Sequence, residues 1–129
     1  MLQRGILNPQ ILGLIGRVRH TNTLVIADRG FPFWPRLETV DISLVDDVPT
    51  VLQVLKALDG NFSVGAAFMA EEFLAENSGP AQALFTELLA PVTIAFEPHV
   101  EFKKRVPHAV GLIRTADTTQ YGNVILESA

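Results

Sequence analysis

The chain has 129 residues, of which 48% are hydrophobic and 19% charged, with a formal net charge of −4 and no cysteine. That length fits one domain over residues 1–129 with room for a sizeable core. The acidic balance argues against nucleic acid, whose affinity rests on Lys and Arg against phosphate. The missing cysteines exclude disulfides and thiolate metal sites, and no apolar run of about 18 residues calls for a membrane helix.

The start, "MLQRGILNPQ", shows no apolar secretory leader, so a cytoplasmic protein is expected. Asn8-Pro9 is a helix start, with Asn as N-cap and Pro at the first helical position. Ile11, Leu12, Ile15 and Val18 recur at helical spacing and predict a helix ending between Arg17 and His20. "TLVIAD" (23–28) is almost wholly apolar, as expected of a strand covered on both faces. "GFPFWPR" (30–36) is loop, broken by Gly and two prolines. "TVDISLV" (39–45) alternates Val40, Ile42 and Leu44 inward and predicts a second strand. "DDVPTVLQVLKALDG" (46–60) opens with acids and Pro49 and stops at Gly60, as a helix does.

"FSVGAAFMA" (62–70) reads as a buried strand, and "EEFLAENSG" as a helical turn. Ser78 caps the helix "GPAQALFTELLA". "VTIAFEP" (92–98) is a strand, "HVEFKKRV" (99–106) a short helix, and "VGLIRTA" (110–116) and "NVILES" (123–128) the last two strands. A polar loop, "DTTQYG", separates these two. Strands alternating with helices predict a three-layer α/β/α sandwich with a mainly parallel sheet. So apolar a chain with so few charges also predicts that part of its surface is buried against copies of itself.

The chemistry is carried by few residues. His20, His99 and His108 are the three histidines. None stands in the short recurrent spacing that zinc needs, so no metal is expected. Neither a Gly-rich phosphate loop nor a G-x-S-x-G elbow is present. Asp28 stands where a strand gives way to a loop, the edge of a parallel sheet at which ligands bind. Phe31, Phe33 and Trp34 follow at once; large apolar groups in a loop cover the core, seal a subunit contact or wall a pocket. Glu71 and Glu72 follow another strand and either serve the same edge or favour a helix N-terminus. Tyr121, Gly122 and Asn123 in "QYGN" offer uncharged donors and acceptors, the groups that hold a polyol, and also suit a plain turn.

The segments "GILNPQI", "RHTNTLVIADRGFP", "VDISLVDDVPTVLQVL", "MAEE", "HVEFKK" and "QYGNVIL" fall in an order and spacing that resemble the RbsD/FucU family of sugar ring-form converters, the D-ribose pyranase and L-fucose mutarotase group. The resemblance covers essentially the whole chain and leans to the ribose side. It implies an RbsD-like fold and a monosaccharide as substrate. Activity would come by acid–base opening of the hemiacetal, without a cofactor. It implies His20 as the catalytic histidine and Asp28, His99, Tyr121, Gly122 and Asn123 as sugar-binding positions, with Lys103 at a similar place. It further implies a ring assembly of subunits, commonly a homodecamer, with sites at subunit boundaries. An L-fucose mutarotase and a non-catalytic monosaccharide-binding protein are the alternatives.

One distance constrains that picture. His20 and Asp28 are eight residues apart across a strand, so an extended segment at about 3.3 Å per residue separates them by roughly 26 Å. Both can serve one sugar only if "RHTN" folds back, or if the site combines groups from two subunits.

Overall fold

The computed structural model describes residues 1–129 throughout. Its first helix, α1 (Pro9–Ile15), is capped by the Asn8 side chain, which accepts the Ile11 amide at 3.0 Å. It ends earlier than its apolar spacing suggests. The Gly16 amide closes on the Leu12 carbonyl, and the Arg17 and Val18 amides reach back only three residues, tightening the chain into a turn. Strand β1 (Thr23–Ala27) follows, with four of its five residues buried.

The second strand, β2, is only Thr39–Asp41. Its predicted continuation to residue 45 fails because the Asp41 carboxylate takes the Ser43 amide at 2.9 Å and the Leu44 amide turns back to the Val48 carbonyl. Leu44, expected inside, is 76% exposed. The acids at 46–47 belong to this turn and not to a helix. Helix α2 (Val51–Leu58) begins after Thr50, whose side chain accepts the Gln53 amide while Gln53 accepts the Thr50 amide, a reciprocal capping box. Then come β3 (Val64–Ala70), α3 (Glu72–Glu76), α4 (Gly79–Leu89), β4 (Ile94–Glu97) and α5 (His99–Arg105), with a single 3₁₀ turn at 106–108. The chain closes with β5 (Gly111–Arg114) and β6 (Val124–Ser128). Ser78 caps α4 as expected, its hydroxyl accepting the Ala81 amide at 3.3 Å.

The six strands form one sheet in the order β2-β5-β1-β6-β3-β4. Five run parallel, and β6 alone is antiparallel to both neighbours, pairing Ile26 with Val124 and Phe68 with Ile125. Alternate residues of β1 feed two separate cores, as a strand buried on both faces must. Leu24 and Ile26 pack with residues of α1, α2, α3 and α4 on one face. Val25 and Ala27 pack with Phe102 of α5 and with Phe31 and Leu37 of the 28–37 loop on the other. The architecture is thus an α/β/α sandwich with a mainly parallel sheet, but its second outer layer is a single short helix. The Arg105 guanidinium extends that layer by lying over the Phe68 ring, 3.9 Å from its centroid.

This topology positions the site. The carboxyl ends of β1, β3, β4 and β5 share one edge of the sheet. Because β6 is antiparallel, its amino end arrives at the same edge and brings the preceding loop with it.

Candidate functional site

Asp28 is the first residue beyond β1 and half-buried at that edge. Its backbone amide donates to Asn123 Oδ1 at 2.6 Å, and Asn123 Nδ2 donates back to Asp28 Oδ2 at 3.1 Å. The other carboxylate oxygen accepts the Gly30 amide at 3.0 Å. Burial pushes the Asp28 carboxyl above its ordinary value. The bonds from Asn123, Gly30 and the Phe31 amide oppose the rise, and the charge of Asp117 adds to it.

Asn123 opens the amino end of β6 and is only 3% exposed. Its loop is tied down at several points. Buried Asp117 accepts the Val51 amide at the start of α2 at 2.8 Å and the Thr119 amide at 2.8 Å. The buried Thr115 hydroxyl donates to the Ala27 carbonyl at 2.7 Å and accepts the Asp117 amide at 3.2 Å. Asn77 donates to the Gln120 carbonyl at 2.9 Å. Tyr121 is held at φ 55, a left-handed conformation that costs a non-glycine residue about 1–2 kcal/mol. Gly122 gives its amide to the Thr119 carbonyl, and a Cβ there would crowd Thr119, so this residue makes the turn.

His99 opens α5. Its amide donates to both carboxylate oxygens of Glu72, each at 3.0 Å. Glu72 thereby caps a helix 27 residues further along the chain, besides opening its own. The His99 ring stacks on Phe102 with centroids 5.9 Å apart and meets Phe31 and Tyr121 edge-on at 6.4 and 5.1 Å. Burial pushes its pKa below the ordinary histidine value. The Lys103 ammonium lowers it further, against Glu72 and Asp28.

Asp28, His99, Tyr121 and Asn123 thus converge from three distant parts of the chain on one cavity of about 320 Å³. Gln120 also lines it; sequence reasoning missed this residue, although it stands beside Tyr121 in the same polar loop. Gly30, Phe31 and Pro32 form a wall. The three aromatics of the 28–37 loop therefore divide: Phe31 walls the cavity and the core, Trp34 packs on the core, and Phe33 is 70% exposed. Asp117 and Thr115 were also missed. Their only signal was polar residues directly after an apolar strand.

His20 is not in this group. It is exposed in the turn before β1, at the opposite end of the strand from Asp28. The five residues of β1 alone span roughly 16 Å at about 3.3 Å per residue. "RHTN" closes a tight turn, with the Asn22 amide on the Arg19 carbonyl, but the turn stays at the far end of β1: the Thr21 amide donates to the Ser128 carbonyl at the end of β6. His108 is exposed and away from the cavity. Lys103, one turn after His99, is half-buried and makes no ion pair with a carboxylate. No three His, Asp or Glu side chains are grouped to hold a metal ion. What the cavity offers is one carboxylate, one imidazole, a phenol and amides against an apolar wall. That set suits a neutral, hydroxyl-rich molecule with C–H faces.

The family described as the RbsD / FucU transport protein family matches residues 1–129. The chain is 35% identical over 128 residues to a D-ribose pyranase of Geobacillus kaustophilus, covering 99% of this chain and 93% of the relative. It is 32% identical over 133 residues to a D-ribose pyranase of Pectobacterium atrosepticum, covering 98% and 96%. Among solved structures, Bacillus subtilis RbsD complexed with D-ribose superposes with a TM-score of 0.92 at 30% identity, over 100% of this chain and 98% of the other. The fucose mutarotase of Streptococcus pneumoniae in complex with L-fucose superposes with a TM-score of 0.80, covering 95% and 92%, but at 14% identity that likeness is one of fold.

Proposed function

This chain belongs to the RbsD/FucU family, and from that premise we propose that it interconverts the pyranose and furanose forms, and the anomers, of a monosaccharide, D-ribose foremost. It is an isomerase-type enzyme. The supporting observation is the convergence of Asp28, His99, Tyr121 and Asn123 on one cavity at the carboxyl edge of the sheet, in a chain 35% identical over nearly its full length to a D-ribose pyranase.

The reaction opens and recloses a hemiacetal. A base removes the proton of the anomeric hydroxyl, the bond from the anomeric carbon to the ring oxygen breaks, and that oxygen takes up a proton. The open aldehyde recloses through another hydroxyl, which changes ring size, or on its other face, which changes the anomer. Positioned groups worth roughly 10²–10⁴-fold each suffice for such a step. His20 is the acid–base residue of this reading. Asp28, His99, Tyr121 and Asn123 hold the sugar, and Gly122 shapes the turn that presents two of them.

Because β1 keeps His20 from Asp28 within one chain, the working site takes His20 from a neighbouring copy. The assembly is a closed ring, ten copies in all. Support comes from the exposed Leu7, Leu44, Val45 and Val48, which a monomer would leave in water. Residues 1–129 act as one domain of the cytoplasm, a reading to which one sheet drawing strands from both halves of the chain and the absence of any helix long and apolar enough to cross a membrane lend support.

Magnetisation-exchange NMR on D-ribose, repeated with L-fucose, tests the reading. Faster pyranose–furanose exchange of ribose that is lost in His20→Ala supports it. Acceleration confined to the anomers of fucose replaces ribose as the substrate. No acceleration of either sugar, with binding intact, leaves a monosaccharide-binding protein.

A further inference from the structure

We propose that His99 is a fixed neutral donor, its ring proton on Nε2 and directed at an acceptor oxygen of the bound sugar, with Nδ1 a bare lone pair sealed inside the protein. This deepens the reading of the cavity as a sugar site and rests on it. The geometry begins at Nδ1, which is buried and has no hydrogen-bond partner. The imidazole as a whole lies among three aromatic rings, stacked on Phe102 and edge-on to Phe31 and Tyr121. An N–H at Nδ1 would be a buried donor without an acceptor, and in an imidazolium it would carry part of a charge as well. Both the cation and the Nδ1–H tautomer place a proton there; the Nε2–H tautomer alone does not. A lone pair left unpaired is the milder loss, as under-satisfied acceptors are commoner in proteins than orphaned donors.

The other nitrogen is free. Nε2 makes no hydrogen bond within the chain and is not sealed, and His99 lines the cavity. The charged groups around the ring are Lys103 on α5, Glu72 on α3 and Asp28 beyond β1, with the Tyr121 phenol alongside. Lys103 opposes a second positive charge, while the two carboxylates favour it. The Glu72 carboxylate is engaged by the His99 backbone amide, not by the ring.

The cavity is therefore polarised. Asp28 accepts hydrogen bonds from sugar hydroxyls, and His99 donates one to a ring or hydroxyl oxygen. As a donor beside a ring oxygen, His99 would stabilise the negative charge that gathers there as the carbon–oxygen bond breaks. With Nε2 already protonated it cannot be the base that takes the anomeric proton.

The decisive measurement is long-range ¹H–¹⁵N correlation NMR of the histidine rings in the intact protein, with His99 assigned by the signals missing from His99→Gln. The expected pattern is an unprotonated Nδ1 and a protonated Nε2 that persists as the pH falls below the ordinary histidine value of about 6.5. A protonated Nδ1, or a ring that titrates at about 6.5 or above, overturns the proposal. Activity supplies the second arm. His99→Gln, whose amide can still donate, should retain exchange within about tenfold of wild type, and His99→Ala should lose about 10²-fold, the scale of one lost donor. Equal losses in the two variants overturn the donor role. Wild-type protein that accelerates no sugar refutes the functional reading instead, and the ring-nitrogen pattern still decides the tautomer.

Discussion

Asn123 and Asp28 form a two-way clamp, amide to side chain in one direction and side chain to carboxylate in the other. The clamp faces the carboxylate towards the cavity at the cost of burying it, and burial raises its pKa. The carboxyl is consequently a group that opposes stability when ionised. Asp28→Asn should abolish ring exchange yet leave the melting temperature unchanged or higher, as read by calorimetry, since function here is held against stability. Asn123→Ala leaves the half-buried Asp28 amide unpaired and should cost about 1–3 kcal/mol in urea unfolding. The pH dependence of stability follows from the two shifts. His99 resists protonation when folded, so the unfolded chain binds the extra proton as the pH drops through about 6.5, and stability falls with it until the folded pKa is reached. Asp28 acts the other way: its folded form keeps a proton that the unfolded form has lost, so its contribution is present at acid pH and declines as the pH rises through its folded pKa. In His99→Gln the loss of stability just below about pH 6.5 should shrink, a difference that urea melts at stepped pH would reveal.

Among the elements, α2 and the 117–123 loop are joined through one buried side chain. Asp117 caps the start of α2 and shapes the turn that leads to Tyr121. Asp117→Ala leaves a helix-start amide and a loop amide without partners, and should cost about 2–3 kcal/mol. Its kinetic signature should be a raised KM for the sugar with a smaller change in kcat, because Tyr121 and Asn123 lose their support and the reacting groups do not. Strand β5 shows how closely the helices sit on the sheet. A Cβ on Gly111 would collide with the Leu14 side chain of α1 and lie 3.1 Å from the Glu38 carbonyl. Gly111→Ala should therefore be destabilising by about 1–3 kcal/mol, the usual cost of overpacking, through displacement of α1.

For the whole molecule, the separation of His20 from Asp28 makes a sharp expectation. If each site joins His20 of one copy to Asp28 of the next, two inactive variants complement each other. His20→Ala and Asp28→Asn, refolded together in equal amounts, should regain about one quarter of wild-type exchange, the share of interfaces at which both intact residues meet. A mixture as inactive as its components would place both residues in one chain's site or remove His20 from it. Charged substitutions at Leu44 and Val45, both exposed here, should break the assembly, and ultracentrifugation would register the smaller species.

Local chemistry was legible along the chain because its causes are local. Asn8-Pro9 and Ser78 announce helix starts through side chains that reach their own next turn. The unbroken apolar run of β1 declares a strand buried on both faces, and it places Asp28 at the carboxyl edge of the sheet. The resemblance added His99, Tyr121 and Asn123 to that edge. What the sequence could not determine is the pairing. The 39–45 alternation looks like a strand, but the Asp41 side chain and the 44–48 turn end it at Asp41. Nothing in "NVILES" says that this strand enters antiparallel between β1 and β3, and only that insertion brings Asn123 onto Asp28, 95 residues away. Nor does any spacing link Glu72 to the amide of His99 or Asp117 to α2. Caps and apolar periods are settled within a few residues of chain. Strand order and the partners of buried polar groups are settled by which distant segments exclude water together, and that belongs to the tertiary structure alone.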